Sequence, residues 1–261
     1  MGENGSSKKP KLSRVVNKIG EISTLPQVMT DIMQVTAKSE SGAAELDNIL
    51  QADPAMTSKI LQIANSSYYG TSQKIFSVKR AIVLLGFDEV KNIATAASVA
   101  SIFKSNTKIF DFSLEKLWTH SLGVAICSKI IAEKLDMENP EELFTAGIMH
   151  DIGIIMEDQY LHDYFFRIIE DLQLTEKGLV EAEQTVLGFD HGMLGGRVAR
   201  HWKLPDNICR VISFHHRPMD LVESNRLPTA VVYLADLICN VRKIGYVPTK
   251  KAEAEEIMAI L

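Results

Sequence analysis

Five of the seven histidines in this chain, and two of its aspartates, form an ordered series: His120, His150-Asp151, His191, His215-His216 and Asp236. Each lies in an apolar, helix-like stretch. In Gly147-Ile-Met-His-Asp-Ile-Gly153 an imidazole and a carboxylate stand side by side among apolar residues, and polar groups removed from water cost free energy unless they are paired. Neutral imidazoles and carboxylates are ligands for borderline divalent metals, and helices can direct several of them into one bundle interior. A single histidine on an apolar face is more often a hydrogen-bonded core residue than a ligand. The joint pattern points instead to a shared metal site.

Adjacent helical positions differ by about 100°, so His150 and Asp151 face one site only if a helix ends between or at them. Asp151 could then bridge two metals, with the imidazoles divided between them, as in two-metal hydrolytic sites. One ion or two would fit. The ligand set holds His and Asp but no Cys, which favours iron or manganese over structural zinc. Lys129, Arg197, Arg200 and Arg217 lie near these residues in sequence, but helical surface cations are usually solvated or paired, and none is assigned. His162 and His201 fall outside the series, and Tyr68, Tyr69 and Trp202 read as packing residues.

The chain has 261 residues, 46% of them hydrophobic and 23% charged, a composition of globular domains. No apolar run approaches the roughly 18 residues of a membrane span. The polar start, Met1 to Lys11, lacks the apolar core of a secretory signal, so a cytoplasmic location is expected. Cys127, Cys209 and Cys239 are odd in number and set among apolar residues, which favours reduced core thiols. A net charge of −5 argues against a broad nucleic-acid surface, and Lys8, Lys9 and Lys11 read as a solvated tail.

Apolar spacing predicts helices over Leu12 to Ile22, Gln27 to Ala37 with a Ser39-Glu-Ser-Gly42 turn after it, and Ala44 to Leu50. Asp53-Pro54 predicts a capped start for the next. Ser77 is the expected cap of a helix reaching Leu85, and Asp88 of one reaching about Phe103. Ser105 to Phe112 is the expected boundary. Long helices follow from Ser113 to Leu135, from a capping box at Asn139-Pro-Glu-Glu142 to His150-Asp151, where Gly153 turns the chain, and over Leu161 to Leu172 and Leu179 to Leu187. His191 to Trp202, a helix from Pro205-Asp206 to His215-His216, Arg226 to Val241 and Lys250 to Leu261 complete an all-α fold.

The series of His120, His150-Asp151-Ile-Gly, Asp190-His191-Gly, His215-His216 and Ala235-Asp236 resembles the HD superfamily of metal-dependent phosphohydrolases. Leu25-Pro26, Gln51-Ala-Asp-Pro54, Ile63-Ala-Asn-Ser-Ser67 and Ala81-Ile-Val-Leu-Leu-Gly86 narrow the resemblance to the HDOD family, the HD-related output domain of bacterial signalling proteins. It covers about residues 12–242. It implies a flexible tail over 1–11, a helical N-terminal subdomain over 12–104 packed with an HD-like bundle over 113–261, and a signal-transduction module acting on a protein partner. It also implies metal ligation by His120, His150, Asp151, His191, His215, His216 and Asp236. The retained ligands are similar to those of the related HD-GYP phosphodiesterases, but Arg217-Pro-Met-Asp220 stands where that family has a glutamate and Gly-Tyr-Pro. A non-enzymatic module is therefore expected ahead of a metal-dependent phosphohydrolase, which would use metal-bound hydroxide on a nucleotide or other phosphate ester.

Overall fold

The computed structural model describes residues 9–22, 25–36, 42–67, 69–70, 74–103 and 107–245. The expected turn at Ser39-Glu-Ser-Gly42, most of the tail and the helix over Lys250 to Leu261 lie outside them, wholly or in large part. The described residues are all-α apart from one two-stranded ribbon. They form two compact units, divided after Thr24 and after Lys104. The first helix groups with the C-terminal unit, whereas the linear reading placed residues 12–104 together.

The smaller unit contains α2 (Gln27–Thr36), α3 (Gly42–Gln51), α4 (Pro54–Ala64), α5 (Val78–Leu85) and α6 (Phe87–Ala100). Its core joins Ile32, Leu46, Leu50, Ile60, Ile75, Val78 and Val90. Asp53 caps α4 as its sequence predicts, accepting from the amides of Ala55 and Met56, and Ser77 caps α5 through the Arg80 amide. Asp88 does not cap α6. Gly86, with φ of 95°, occupies that place without a side-chain bond, and Asp88 lies within the first turn, where its charge suits the helix N-terminus. Asn65 explains part of the Asn-Ser-Ser motif: its amide donates to the carbonyls of Leu61 and Ile75 and its oxygen accepts from the Ile75 amide, tying down the connection to α5.

The larger unit contains α1 (Leu12–Ile22) and, after the hairpin strands β1 (Lys108–Ile109) and β2 (Phe112–Ser113), the helices α7 (Leu114–Lys134), α8 (Pro140–Met149), α9 (Ile152–Tyr160), α10 (His162–Leu174), α11 (Leu179–Val186), α12 (His191–His201), α13 (Asp206–Phe214) and α14 (Glu223–Val241). α7 packs along α8 and α14, while α12 packs against α9, α13 and α1. Asn139 makes no side-chain cap bond, so the capping box is not formed, although its carbonyl accepts from the Glu142 amide at 3.1 Å. The chain turns between α8 and α9 at His150-Asp151, just ahead of Gly153. Gly153 lies in the first turn of α9, and a Cβ on it would lie 2.0 Å from the His191 carbonyl oxygen, so the glycine serves the close approach of α9 to α12. Gly196 similarly meets Ser213 of α13, with a hypothetical Cβ 1.9 Å from its hydroxyl.

A candidate metal centre in the larger unit

His150 is the last helical position after α8 and Asp151 the residue before α9. Ending one helix and starting another at this pair lets two adjacent side chains face the same interior, which an uninterrupted helix forbids. α7 brings His120, the start of α12 brings His191, the end of α13 brings His215 and His216, and α14 brings Asp236. All are buried except the half-buried His216.

Asp151 lies between two groups. Its Oδ2 is 3.2 Å from His150 Nε2 and 3.8 Å from His120 Nε2. Its Oδ1 is 3.3 Å from His191 Nε2 and 3.5 Å from His215 Nε2. His191 Nε2 is in turn 3.2 Å from His215 Nε2 and 2.8 Å from His216 Nε2. His120 Nε2 also approaches Asp236 Oδ1 at 3.0 Å. Two sets therefore have the composition and spacing to hold an ion each, Asp151 with His191, His215 and His216, and Asp151 with His120 and His150. Asp236 adjoins the second set through His120.

The outer atoms of these rings favour that chemistry. His150 Nδ1 donates to the Gly147 carbonyl at 2.7 Å, His215 Nδ1 to the Ile212 carbonyl at 2.9 Å, and His120 Nδ1 to the Ile244 carbonyl at 3.2 Å. A ring that donates from Nδ1 presents its Nε2 lone pair on the opposite side, the arrangement found behind metal-bound histidines. In the neutral ring with Nδ1 as donor, His120 Nε2 and His150 Nε2 are buried acceptors that no donor reaches, and only carboxylate oxygens stand beside them. Buried acceptors facing one another without donors are costly, and a cation among them relieves that cost. The residues present therefore fit a divalent metal.

Electrostatics agree with a site that calls for positive charge. Burial works to raise the Asp151 pKa, but the surrounding imidazoles, His150 foremost, hold it well below the usual carboxylate range. Burial and the neighbouring imidazoles keep His215 below, and His216 well below, the ordinary histidine value, which favours the neutral form that ligates metal. Burial opposes charge on His191 and His120, yet acidic neighbours outweigh it: Glu183 with Asp151 holds His191 well above its ordinary value, and Asp236 with Asp151 raises His120.

The sequence reading missed two carboxyl groups behind His191. Glu183 on α11 accepts from His191 Nδ1 at 2.8 Å and from the His191 amide at 2.9 Å. Glu157 on α9 is fully buried and neither of its oxygens makes a hydrogen bond. Burial, then the nearby Glu183 charge, pushes its pKa well above the usual range. A signal was available: Glu157 continues the apolar run Ile154-Ile-Met156, and Glu183 shares its helix face with Leu179, Ala182 and Val186. Lys129 on α7 pairs with Glu141 at 3.4 Å, and Arg217, in the connection after α13, with Asp190 at 3.4 Å. His162 is half-exposed and contacts Asp158. The three cysteines are free.

Residues 22–218 match the HDOD domain model, and the chain belongs to the HDOD family. It is 27% identical over 158 residues to the uncharacterized protein YuxH of Bacillus subtilis strain 168, a match covering 60% of this chain and 36% of that one. The chain therefore spans well under half the length of this relative. An HDOD domain protein of unknown function from Geobacter sulfurreducens is similar in structure, with a TM-score of 0.83, 25% identity and coverage of 93% of this chain and 82% of that one. A Marinobacter aquaeolei VT8 protein, provisionally assigned to signal transduction, shares the fold with a TM-score of 0.79 at 18% identity, over 98% of this chain and 56% of that one. No helix among the described residues is long and apolar enough to cross a membrane.

Proposed function

We propose that the protein is a cytoplasmic bacterial signalling output module whose HD-like half holds one or two divalent metal ions, and which passes information to a protein partner. The observation that carries the metal reading is Asp151, whose two carboxylate oxygens face separate histidine groups. Membership of the HDOD family supports the signalling role, as does the fold shared with the Marinobacter protein. His120, His150, Asp151, His191, His215, His216 and Asp236 are the ligand candidates, and iron or manganese suits their His and Asp chemistry.

A metal-dependent phosphohydrolase acting on a nucleotide or other phosphate ester is the second reading. It is favoured by the same bridging carboxylate, because a pair of ions can orient a nucleophile and neutralise charge on a leaving oxygen. Elemental analysis of purified protein, with hydrolysis screens on cyclic dinucleotides and simple phosphate esters beside His150→Ala, separates the two. Bound iron or manganese without turnover is the expected result. Protein that stays metal-free after incubation with either ion overturns the metal reading, and turnover abolished by His150→Ala overturns the preference for a non-enzymatic module.

A further inference from the structure

A second concave site lies in the larger unit at the N-terminal end of α7, a cavity of about 590 Å³. That volume is within the range of small-molecule sites, roughly 300 to 1,000 Å³. Three ammonium groups line it, from Lys108 on β1, Lys116 on α7 and Lys243 after α14. Lys116 donates to the Asp111 carbonyl at 2.9 Å and lies 3.9 Å from its carboxylate. No hydrogen bond or ion pair among the described residues engages the ammonium of Lys108 or Lys243. The carboxylates of Asp111 and Glu115 and the Thr119 hydroxyl also line it. Asp111 is taken up by Lys116, so the lysines outnumber the acids by one and the cationic side of the cavity is that of Lys108 and Lys243.

Phe110 supplies the other half of the chemistry. It sits at the tip of the hairpin between Ile109 and Phe112, with φ of 50° and 61% of its surface exposed. A large aromatic residue in the left-handed region is unusual, and such strain gathers at functional sites. Lys243, also in the lining, has a positive φ too, of 54°. Two of the four non-glycine residues with positive φ among those described thus line one cavity. We infer that this cavity binds an anionic ligand of the nucleotide class, its phosphates held by Lys108 and Lys243 and its base stacked on Phe110.

The site is separate from the histidine cluster. Its floor is the strap from Lys243 to Gly245, which meets the backbone side of His120: a Cβ on Gly245 would lie 2.2 Å from the His120 amide nitrogen. The strap also supplies the Ile244 carbonyl to His120 Nδ1, whereas the cluster gathers at Nε2 on the other side of the ring. Occupancy therefore bears on the residues that hold His120 without entering the cluster.

Calorimetric titration of the full chain with ADP and with pyrophosphate tests the inference, beside Lys108→Ala/Lys243→Ala, Phe110→Ala and His150→Ala. All three substituted proteins are first compared with the parent by thermal melting and metal content. Loss of two charge-assisted contacts is expected to weaken ADP binding by about tenfold or more. Phe110→Ala is expected to weaken ADP by roughly fivefold or more and to leave pyrophosphate unchanged, and the double lysine substitution rather than His150→Ala is expected to carry the loss of ADP binding. Absence of ADP binding at millimolar concentration overturns the inference. So does binding lost in His150→Ala but kept in the double lysine variant, which would place the ligand at the histidine cluster. Equal binding of ADP and pyrophosphate, insensitive to Phe110→Ala, overturns the nucleotide class. Lysine-dependent ADP binding to protein that takes up no metal leaves this inference standing while the metal reading falls.

Discussion

At the scale of single residues, the arrangement around Asp151 depends on side chains that never reach its carboxylate. Glu183 fixes His191 from behind through two hydrogen bonds, and partners of that kind are worth about 10- to 100-fold in metal affinity. Glu183→Gln is expected to weaken metal binding by a factor in that range, measured by competition with a chromophoric chelator, while metal affinity equal to the parent's would show that Glu183 does not position His191. Glu157 makes a separate prediction about stability. Its folded-state pKa is raised above the unfolded value by burial, so the folded protein binds this proton more tightly than the unfolded chain does. Its favourable contribution is therefore complete below the unfolded pKa and is lost as pH rises through the folded one. Glu157→Gln, neutral at every pH, should flatten that decline. Melting midpoints across acid to mildly alkaline buffers check it, and parallel curves for the two proteins would contradict it.

Helix junctions and contacts set the next scale. The break between α8 and α9 aims His150 and Asp151 together, and the contact of α9 with α12 sets the distance from Asp151 to His191. At Gly153 that contact is against the His191 backbone. Gly153→Ala would press a methyl group against backbone rather than a movable side chain, so it is expected to cost about 3 kcal/mol, the upper end of ordinary overpacking, or more. Urea denaturation measures the loss, and weaker metal binding should accompany it. Stability within about 0.5 kcal/mol of the parent would mean that the helices can separate cheaply.

For the whole molecule, all seven ligand candidates belong to the unit that follows residue 104, together with α1. A metal bound there stabilises the folded unit by linkage, about 2.7 kcal/mol when free ion is 100-fold above its dissociation constant. Stripping metal with a chelator should therefore lower the unfolding temperature of that unit and spare helices α2 to α6, read by hydrogen exchange segment by segment. Equal loss of protection in both units would show that they unfold as one.

Helical periodicity and cap chemistry are local properties, and the sequence by itself determined most of them: α1 over Leu12–Ile22, the Asp53 and Ser77 caps, and the all-α class. The same local reading failed where partners come from far along the chain. Asp88 and Asn139 have cap chemistry but do not cap, and the contact of α1 with α12, far along the chain, is set by packing. The ordered histidines and aspartates marked His150-Asp151 as the focus of a site. Only the tertiary structure decided that the carboxylate faces two separate groups, that Glu183 and Glu157 stand behind His191, and that Gly153 makes room for a backbone. Each of these depends on distances between helices, which sequence spacing does not encode.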